Sequence, residues 1–305
     1  MNDERFDMKV DRFSMTVSNV EKIVFPGDGI TKGDIINYYY SIAPVMLPLV
    51  KNRLISMQRY PFDIEHDGFY QKNAGEYFPS WVALKSLQNS DGEVVKYVII
   101  DKRSTLVYLA NQGCITFHIW LSKVTALEYP DRMIFDLDPS GDTFDFSKVR
   151  QTALKIKALL EELSLIPFVM TTGSRGLHVV VPIKPIINFD GVRSLSRSIA
   201  QHLVNIDPKN LTLELRKNKR GKKIFIDYLR NGYGATGVAP YSLRARPHAP
   251  VATPLDWQEI NDVHLRSDRY TLFTVFDRLN KHGDPWKDIA KSARSLKRAI
   301  KHFQY

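Results

Sequence analysis

At 305 residues, with 44% hydrophobic and 25% charged side chains, the chain can bury a substantial core as a soluble globular protein. A single cysteine, Cys114, excludes a disulfide framework and a multi-cysteine zinc site, and apolar runs such as Ile42 to Val50 are too short and proline-broken to span a membrane. The formal charge of +10, from 43 Lys and Arg against 33 Asp and Glu, favours a polyanionic partner.

Met1-Asn-Asp-Glu-Arg5 lacks the charged-then-apolar order of a secretory signal, so a cytoplasmic location is expected. Thr31 is a capping residue with an acid, Asp34, behind it, and predicts a helix from Lys32 to about Leu49. Strands are predicted around Leu54–Tyr60 and Val94–Ile100, with the polar segment Ser86–Glu93 as an exposed loop between them. The apolar run Met133-Ile-Phe-Asp-Leu-Asp-Pro139 reads as a buried strand. Val149, Ala153, Ile156, Leu160 and Leu163 form one apolar stripe and predict a helix over Ser147–Ser164. Strands Phe168–Thr171 and Leu177–Ile183 follow, joined by Gly173-Ser-Arg-Gly176, then a helix over about Phe189–Val204. Lys209 to Lys223 is a basic loop, Ile224–Leu229 a strand, and the chain after Pro254 is predicted to be mostly helical. From Ile289 onward Lys291, Arg294, Lys297, Arg298 and Lys301 occur with no acid among them. The order strand, helix, two strands, helix, strand predicts an α+β, ferredoxin-like mixed sheet with its helices on one face.

Three polar intrusions into these strands carry the chemistry. Side chains alternate faces along a strand, so Asp136 and Asp138 point the same way. Side by side they repel, and a divalent cation would relieve both the repulsion and the burial cost. The alternative is a turn, since Asp-Pro before Ser140-Gly141-Asp142 is good turn chemistry. His178 opens a strongly apolar strand, and Asp227 is embedded in another. Either alone suits a satisfied core group, but three exceptions in neighbouring strands point to a site. Three carboxylates without cysteine make a hard-oxygen set suited to Mg2+ or Mn2+. The Gly173–Gly176 turn offers N–H groups, a hydroxyl and a guanidinium to phosphates, without the lysine and spacing of a P-loop.

Asp136-Leu-Asp138, Ser174-Arg-Gly-Leu-His178 and Ile226-Asp227 together resemble the three motifs of the archaeo-eukaryotic primase superfamily. Gly173-Ser-Arg-Gly-Leu-His-Val-Val-Val-Pro182, Val238-Ala-Pro-Tyr-Ser-Leu-Arg-Ala-Arg-Pro247 and Val251-Ala-Thr-Pro-Leu-Asp-Trp257 resemble the polymerase domain of bacterial ligase D and its stand-alone relatives. The likeness runs from about Val17 to the C-terminal helices. It implies a primase-like catalytic core packed against an N-terminal α/β subdomain. The whole would be one domain with a DNA-end-binding part (about 1–125), a catalytic sheet (about 126–255) and C-terminal helices (about 256–305).

By that resemblance Asp136, Asp138 and Asp227 hold two divalent ions, Mn2+ or Mg2+. Arg59, His118, Thr172, Gly173, Ser174, Arg175, His178, Arg244 and Arg246 bind the nucleotide. Arg175 stands where relatives often have lysine, and Gln58 beside Arg59 is a further departure. Asn19, Lys22 and Lys32 resemble the pocket for a downstream 5′-phosphate, where two ammonium groups, an amide and a helix N-terminus would converge on an anion. Phe69, Tyr70 and Lys72 resemble an aromatic pair plus lysine on the template strand, although both rings also suit a core. The implied activity is template-directed addition of nucleoside triphosphates, with ribonucleotides preferred, at gapped, nicked or overhanging 5′-phosphorylated DNA ends. Ku and a DNA ligase are the implied partners in non-homologous end joining, at the nucleoid. A primase working de novo, a non-catalytic DNA-end-binding subunit and a metal-dependent nuclease are the alternatives.

Overall fold

The computed structural model describes residues 5–89, 91–141 and 143–303. Ser90 of the polar loop, Asp142 of the turn and the first four residues of the stretch read for a secretory signal lie outside the described residues.

β1 (Arg5–Val10) and β2 (Phe13–Ser18) form an antiparallel hairpin, and β3 (Ile23–Phe25) with β4 (Ile30–Thr31) forms a shorter one. α1 (Lys32–Val50) begins at a capping box, in which Asp34 N–H donates to the Thr31 hydroxyl and Thr31 N–H to the Asp34 carboxylate. β5 (Arg53–Arg59), β6 (Phe69–Gln71), β7 (Leu84–Gln88), β8 (Val94–Ile100) and, after α2 (Arg103–Asn111), β9 (Cys114–Trp120) build the N-terminal sheet. Its order is β9-β5-β8-β7, with β6 added beside β5. The segment expected to be an exposed loop therefore begins as strand, because Ser86, Leu87 and Gln88 pair with Lys96, Val95 and Val94.

β10 (Arg132–Pro139), α3 (Phe146–Glu162), β11 (Phe168–Thr171), β12 (Leu177–Pro182), α4 (Phe189–Ile206), β13 (Leu211–Thr212) and β14 (Ile224–Asp227) follow. β15 (Thr236–Val238) returns to β9, and β16 (Pro254–Leu255) joins β11. The second sheet runs β13-β14-β10-β12-β11-β16, and its mixed character lies in the single parallel pair β13–β14.

Alternation along β10 divides two cores. Met133, Phe135 and Leu137 point to a helical layer formed by Val149, Ala153, Ile156 and Leu160 of α3 and Val192, Leu195, Ile199 and Leu203 of α4. Each such buried side chain contributes about 1.5–3 kcal/mol. Both helices thus cover one face, as the stripe predicted. Ile134, Met170 and Val180 occupy the other face and join the core of the N-terminal sheet. Asp136 and Asp138 share that second face with Ile134.

Past Pro254 the expectation of a mostly helical chain fails. The α-helices there are α5 (Val275–His282) and α6 (Lys297–Phe303), of eight and seven residues. The segment plugs the two cores in turn. Ile260 and Leu265 enter the helical layer, Leu272, Val275, Trp286 and Ile289 the N-terminal core, and Leu296 and Ala299 the helical layer again. No single helical face can serve both.

Candidate functional site

Strand register sets the acids. Asp136 lies opposite His178 on β12 and opposite Asp227 on β14, so the three side chains form a row across adjacent strands. Cα atoms so paired stand about 4.5–5.5 Å apart. Asp138, two residues on, faces the same side. β14 ends at Asp227, two residues before the predicted Leu229, and Leu229–Asn231 is a single 3-10 turn. Asn231 takes over the ladder there. Its Oδ1 accepts from Ile134 N–H at 2.8 Å and its Nδ2 donates to Ile134 O at 2.7 Å. Leu229 N–H donates to Asp227 Oδ1 at 2.7 Å.

Asp136 and His178 of the row line a cavity of about 220 Å³, with Asp138, Tyr70, His118, Ser174, Arg230 and Arg244 around it. His178 Nε2 is 3.4 Å from Asp136 Oδ1, and His178 Nδ1 is buried without a partner among the described residues. Arg230 Nε is 3.4 Å from Asp136 Oδ2 and 3.5 Å from Asp227 Oδ2. Burial opposes ionisation of Asp136, but His178, Arg230 and Arg244 outweigh it and hold its carboxyl below the ordinary value. Asp138 goes the other way, pushed up to about 6 by burial and then by the charge of Asp136. Asp227 is also raised, again by burial and Asp136. Burial, with Arg244 and Arg230 nearby, lowers His118 to about 3 and keeps it neutral.

The Gly-rich turn closes the cavity. Gly173 has φ +64°, and a Cβ there would lie 2.8 Å from Arg244 Cγ and 3.0 Å from the Val251 carbonyl carbon. At Gly176 a Cβ would meet Leu137 O at 2.0 Å, so only glycine lets the turn rest on β10. Ser267 pins it from a distant segment. Its hydroxyl accepts from Ser174 N–H at 3.2 Å, donates to Gly176 O at 2.8 Å and lies 3.1 Å from Thr172 Oγ1. Arg244 Nη1 donates to Thr172 O at 3.0 Å, which fixes the guanidinium at the wall.

Several sequence-predicted residues stand elsewhere. Arg175 turns away, donating to Gly141 O and stacking 4.9 Å over Phe144. It lines a neighbouring cavity with Asp138, Lys217 and Arg220. Arg246 is exposed and does not line the acidic cavity. Arg59 belongs to a third cavity of about 250 Å³, which it shares with Asn19, Lys22 and Lys32. These four expected anion-binding or nucleotide-binding groups are thereby brought together. Lys22 donates to Pro61 O, Lys32 Nζ to Ser18 O at 2.6 Å, and Arg59 to Gln112 O and Gln71 at 2.8 and 2.6 Å. The first N–H groups of α1 are already used, Lys32 N–H by Lys22 O and Gly33 N–H by Val20 O. The helix N-terminus therefore offers an anion less than its sequence suggests.

β6 runs between the two cavities. Phe69 and Tyr70 are 44% and 60% exposed, which removes the core reading of that pair. As neighbours on a strand they point to opposite sides. Tyr70 meets the His118 ring edge-on at 5.5 Å, and Phe69 lies under the Arg59 guanidinium at 5.6 Å. Lys72 is exposed just beyond them. Sequence reasoning missed Arg230 and Ser267. An arginine three residues after Asp227 was a usable signal for the first, whereas nothing local marks the second.

Among the described residues, no three His, Cys, Asp or Glu side chains converge tightly enough to enclose an ion as they stand. The charge of Asp136 and Asp227 is met by Arg230 instead. The donor chemistry still fits a hard divalent cation. It is oxygen-based, and Asp138, raised to about 6, has no ion-pair partner among the described residues. No helix among those residues is long and apolar enough to cross a membrane.

The family described as "LigD, primase-polymerase domain" matches residues 31–286. A "Multifunctional non-homologous end joining protein LigD" of Mycolicibacterium smegmatis is 34% identical over 93% of this chain and 38% of its own length. A "Bifunctional non-homologous end joining protein LigD" of Bacillus subtilis is 30% identical over 90% of this chain and 44% of its own. The chain thus spans less than half the length of these relatives. Among solved structures, "Polymerase Domain from Mycobacterium tuberculosis Ligase D in complex with DNA" superposes with a TM-score of 0.86 at 30% identity, over 92% of this chain and 99% of that one.

Proposed function

This chain belongs to the LigD primase-polymerase family, and on that footing we propose that it is a template-directed nucleotidyltransferase acting at DNA ends in non-homologous end joining. The observation that carries the reading is the row Asp227, Asp136 and His178 on three adjacent strands, with Asp136, His178 and Asp138 in a cavity whose wall also holds Ser174 and Arg244. Acids on one side and phosphate-binding groups on the other suit a nucleoside triphosphate laid between them.

Asp136, Asp138 and Asp227 would hold Mn2+ or Mg2+, as two ions, which would activate a 3′-hydroxyl and steady the departing pyrophosphate. Ser174, His178 and Arg244 bind and orient the phosphates. Neutral His118 serves as a hydrogen-bonding wall, and Tyr70 presents a ring to the base or sugar. Asn19, Lys22 and Lys32, joined here by Arg59, take the downstream 5′-phosphate, and exposed Phe69, Tyr70 and Lys72 on β6 take the template strand between the two cavities. Arg175, in its own basic cavity with Lys217 and Arg220, fits a nucleic-acid phosphate better than the nucleotide. We read the chain as one catalytic domain with the end-binding part and catalytic sheet expected from sequence and a C-terminal segment that plugs both cores, acting at the nucleoid with Ku and a ligase activity. The ribonucleotide preference rests on the family resemblance alone.

The test is extension of a gapped, 5′-phosphorylated duplex with ribo- or deoxyribonucleotides and Mn2+. Wild type should extend it, and Asp136→Ala should bind the DNA without extending it. Synthesis on unprimed template with no response to the 5′-phosphate would point to a primase instead. Extension by Asp136→Ala would overturn the acidic site.

A further inference from the structure

Two kinds of buried arginine–carboxylate pair occur in this molecule. Arg53 grips both oxygens of Asp131 with Nη2 at 2.7 and 2.6 Å, and Arg278 holds Glu259 through Nε at 3.0 Å and again through Nη2. These are directed, structural pairs. Arg230 is different. It sits 3.4 Å from Asp136 and 3.5 Å from Asp227, yet its buried Nε makes no hydrogen bond. Charge holds it there, not a matched fork.

The backbone beneath is fixed. Asn231 bonds the 3-10 turn to Ile134, and Leu229 N–H bonds Asp227. The side chain is less closely held, being 43% exposed. Without Arg230, Asp227 would lose its ion-pair partner and Asp136 would be left with His178 and Arg244 to offset its charge.

We propose that Arg230 is the resident counter-cation of the metal-free site. Its guanidinium lies against Asp136 and Asp227, two of the acids that would hold a divalent cation, and gives way when that cation enters. The inference rests on the acidic-site reading above. Arg230 lines the same cavity as Ser174 and Arg244, so nucleotide phosphates bound there would offer the guanidinium a second partner. It is therefore a positioning residue. It keeps the acids folded together when empty and lowers their affinity for a cation, until nucleotide phosphates offer the guanidinium another partner.

The experiment is Mn2+ titration of the nucleotide-free protein, by calorimetry and by the spin-resonance signal of free Mn2+. Wild type is compared with Arg230→Gln, Arg230→Met and Asp138→Asn, with melting in EDTA beside it. Removing one positive charge a few ångströms from the ion should tighten Mn2+ binding about tenfold in both Arg230 variants. Both should melt below wild type in EDTA, and saturating Mn2+ should close the gap. If wild type binds Mn2+, Asp138→Asn loses it, and the Arg230 variants bind no tighter, the counter-cation role is wrong while the acidic site stands. If Mn2+ binds none of the four proteins, the acidic-site reading falls and the inference with it. Binding only in the Arg230 variants would support the inference in its strongest form.

Discussion

The acidic cavity and the basic cavity near α1 manage charge in opposite ways. In the basic one every named cation already has an internal partner. Lys22 donates to Pro61 O, Lys32 to Ser18 O, and Arg59 to Gln112, Gln71 and Tyr77. In the acidic one Asp138 has no ion pair among the described residues, His178 Nδ1 and His118 Nε2 lack partners, and Arg230 makes contact without a hydrogen bond. On the proposed function the difference would separate binding from chemistry: groups that bind a phosphate in passing can also hold loops together, whereas groups that grip a reacting ion keep valences to spare.

Loss of a carboxylate should break this contrast most sharply. Asp136→Ala is expected to cut nucleotide incorporation about 10³-fold or more, while DNA affinity by fluorescence anisotropy stays near wild type. Residual incorporation near the wild-type rate would show that the acidic cavity is not what drives turnover. The basic surface should respond instead to ions. DNA affinity is expected to fall tenfold or more between about 50 and 200 mM salt, and a flat response would contradict it.

Within the basic cavity, Lys22→Ala combined with Lys32→Ala should weaken binding to 5′-phosphorylated ends by about tenfold beyond any loss at 5′-hydroxyl ends. Equal losses on both ends would reduce the two lysines to general electrostatics. Arg59→Ala should cost stability as well as binding, on the order of 1–3 kcal/mol in denaturant titration, because Gln112 O, Gln71 and Tyr77 all lose a donor. No change in stability would mean that this cavity is not doubly used.

The smallest effect is a pH signature of the acidic cavity. Asp138 lies at about 6 against an ordinary 3.8, so the native protein takes up its proton before the unfolded chain does. In EDTA this group should therefore add stability as pH falls through about 6 toward 3.8, and that gain disappears as pH rises again. Melting curves of Asp138→Asn should lack this component. An identical pH profile in the variant would mean that the carboxyl is not under strain.

Much of the catalytic sheet could be read in advance because it depends on local periods. The stripe Val149, Ala153, Ile156 and Leu160 marked a helix and the face it buries, and alternation alone put Asp136 and Asp138 on one side of β10. Failures came where a residue answers to two neighbours at once. The C-terminal segment is not a helix because its apolar residues serve two cores. The bonds that seat Arg59 and Arg175 in neighbouring cavities, to Gln112 O and Gly141 O, were likewise not legible from any local pattern.

Which residue types are available follows from the order of amino acids alone, since carboxylates in apolar strands, glycines at 173 and 176 and an excess of basic side chains are chemical facts at fixed spacing. That Asp227 stands opposite Asp136, that Ser267 pins the Ser174 turn and that Arg230 lies between two acids emerges once the chain has folded. Pairing register, the end of β14 and the direction of a long side chain are set by contacts between segments tens to hundreds of residues apart, and no local pattern encodes them.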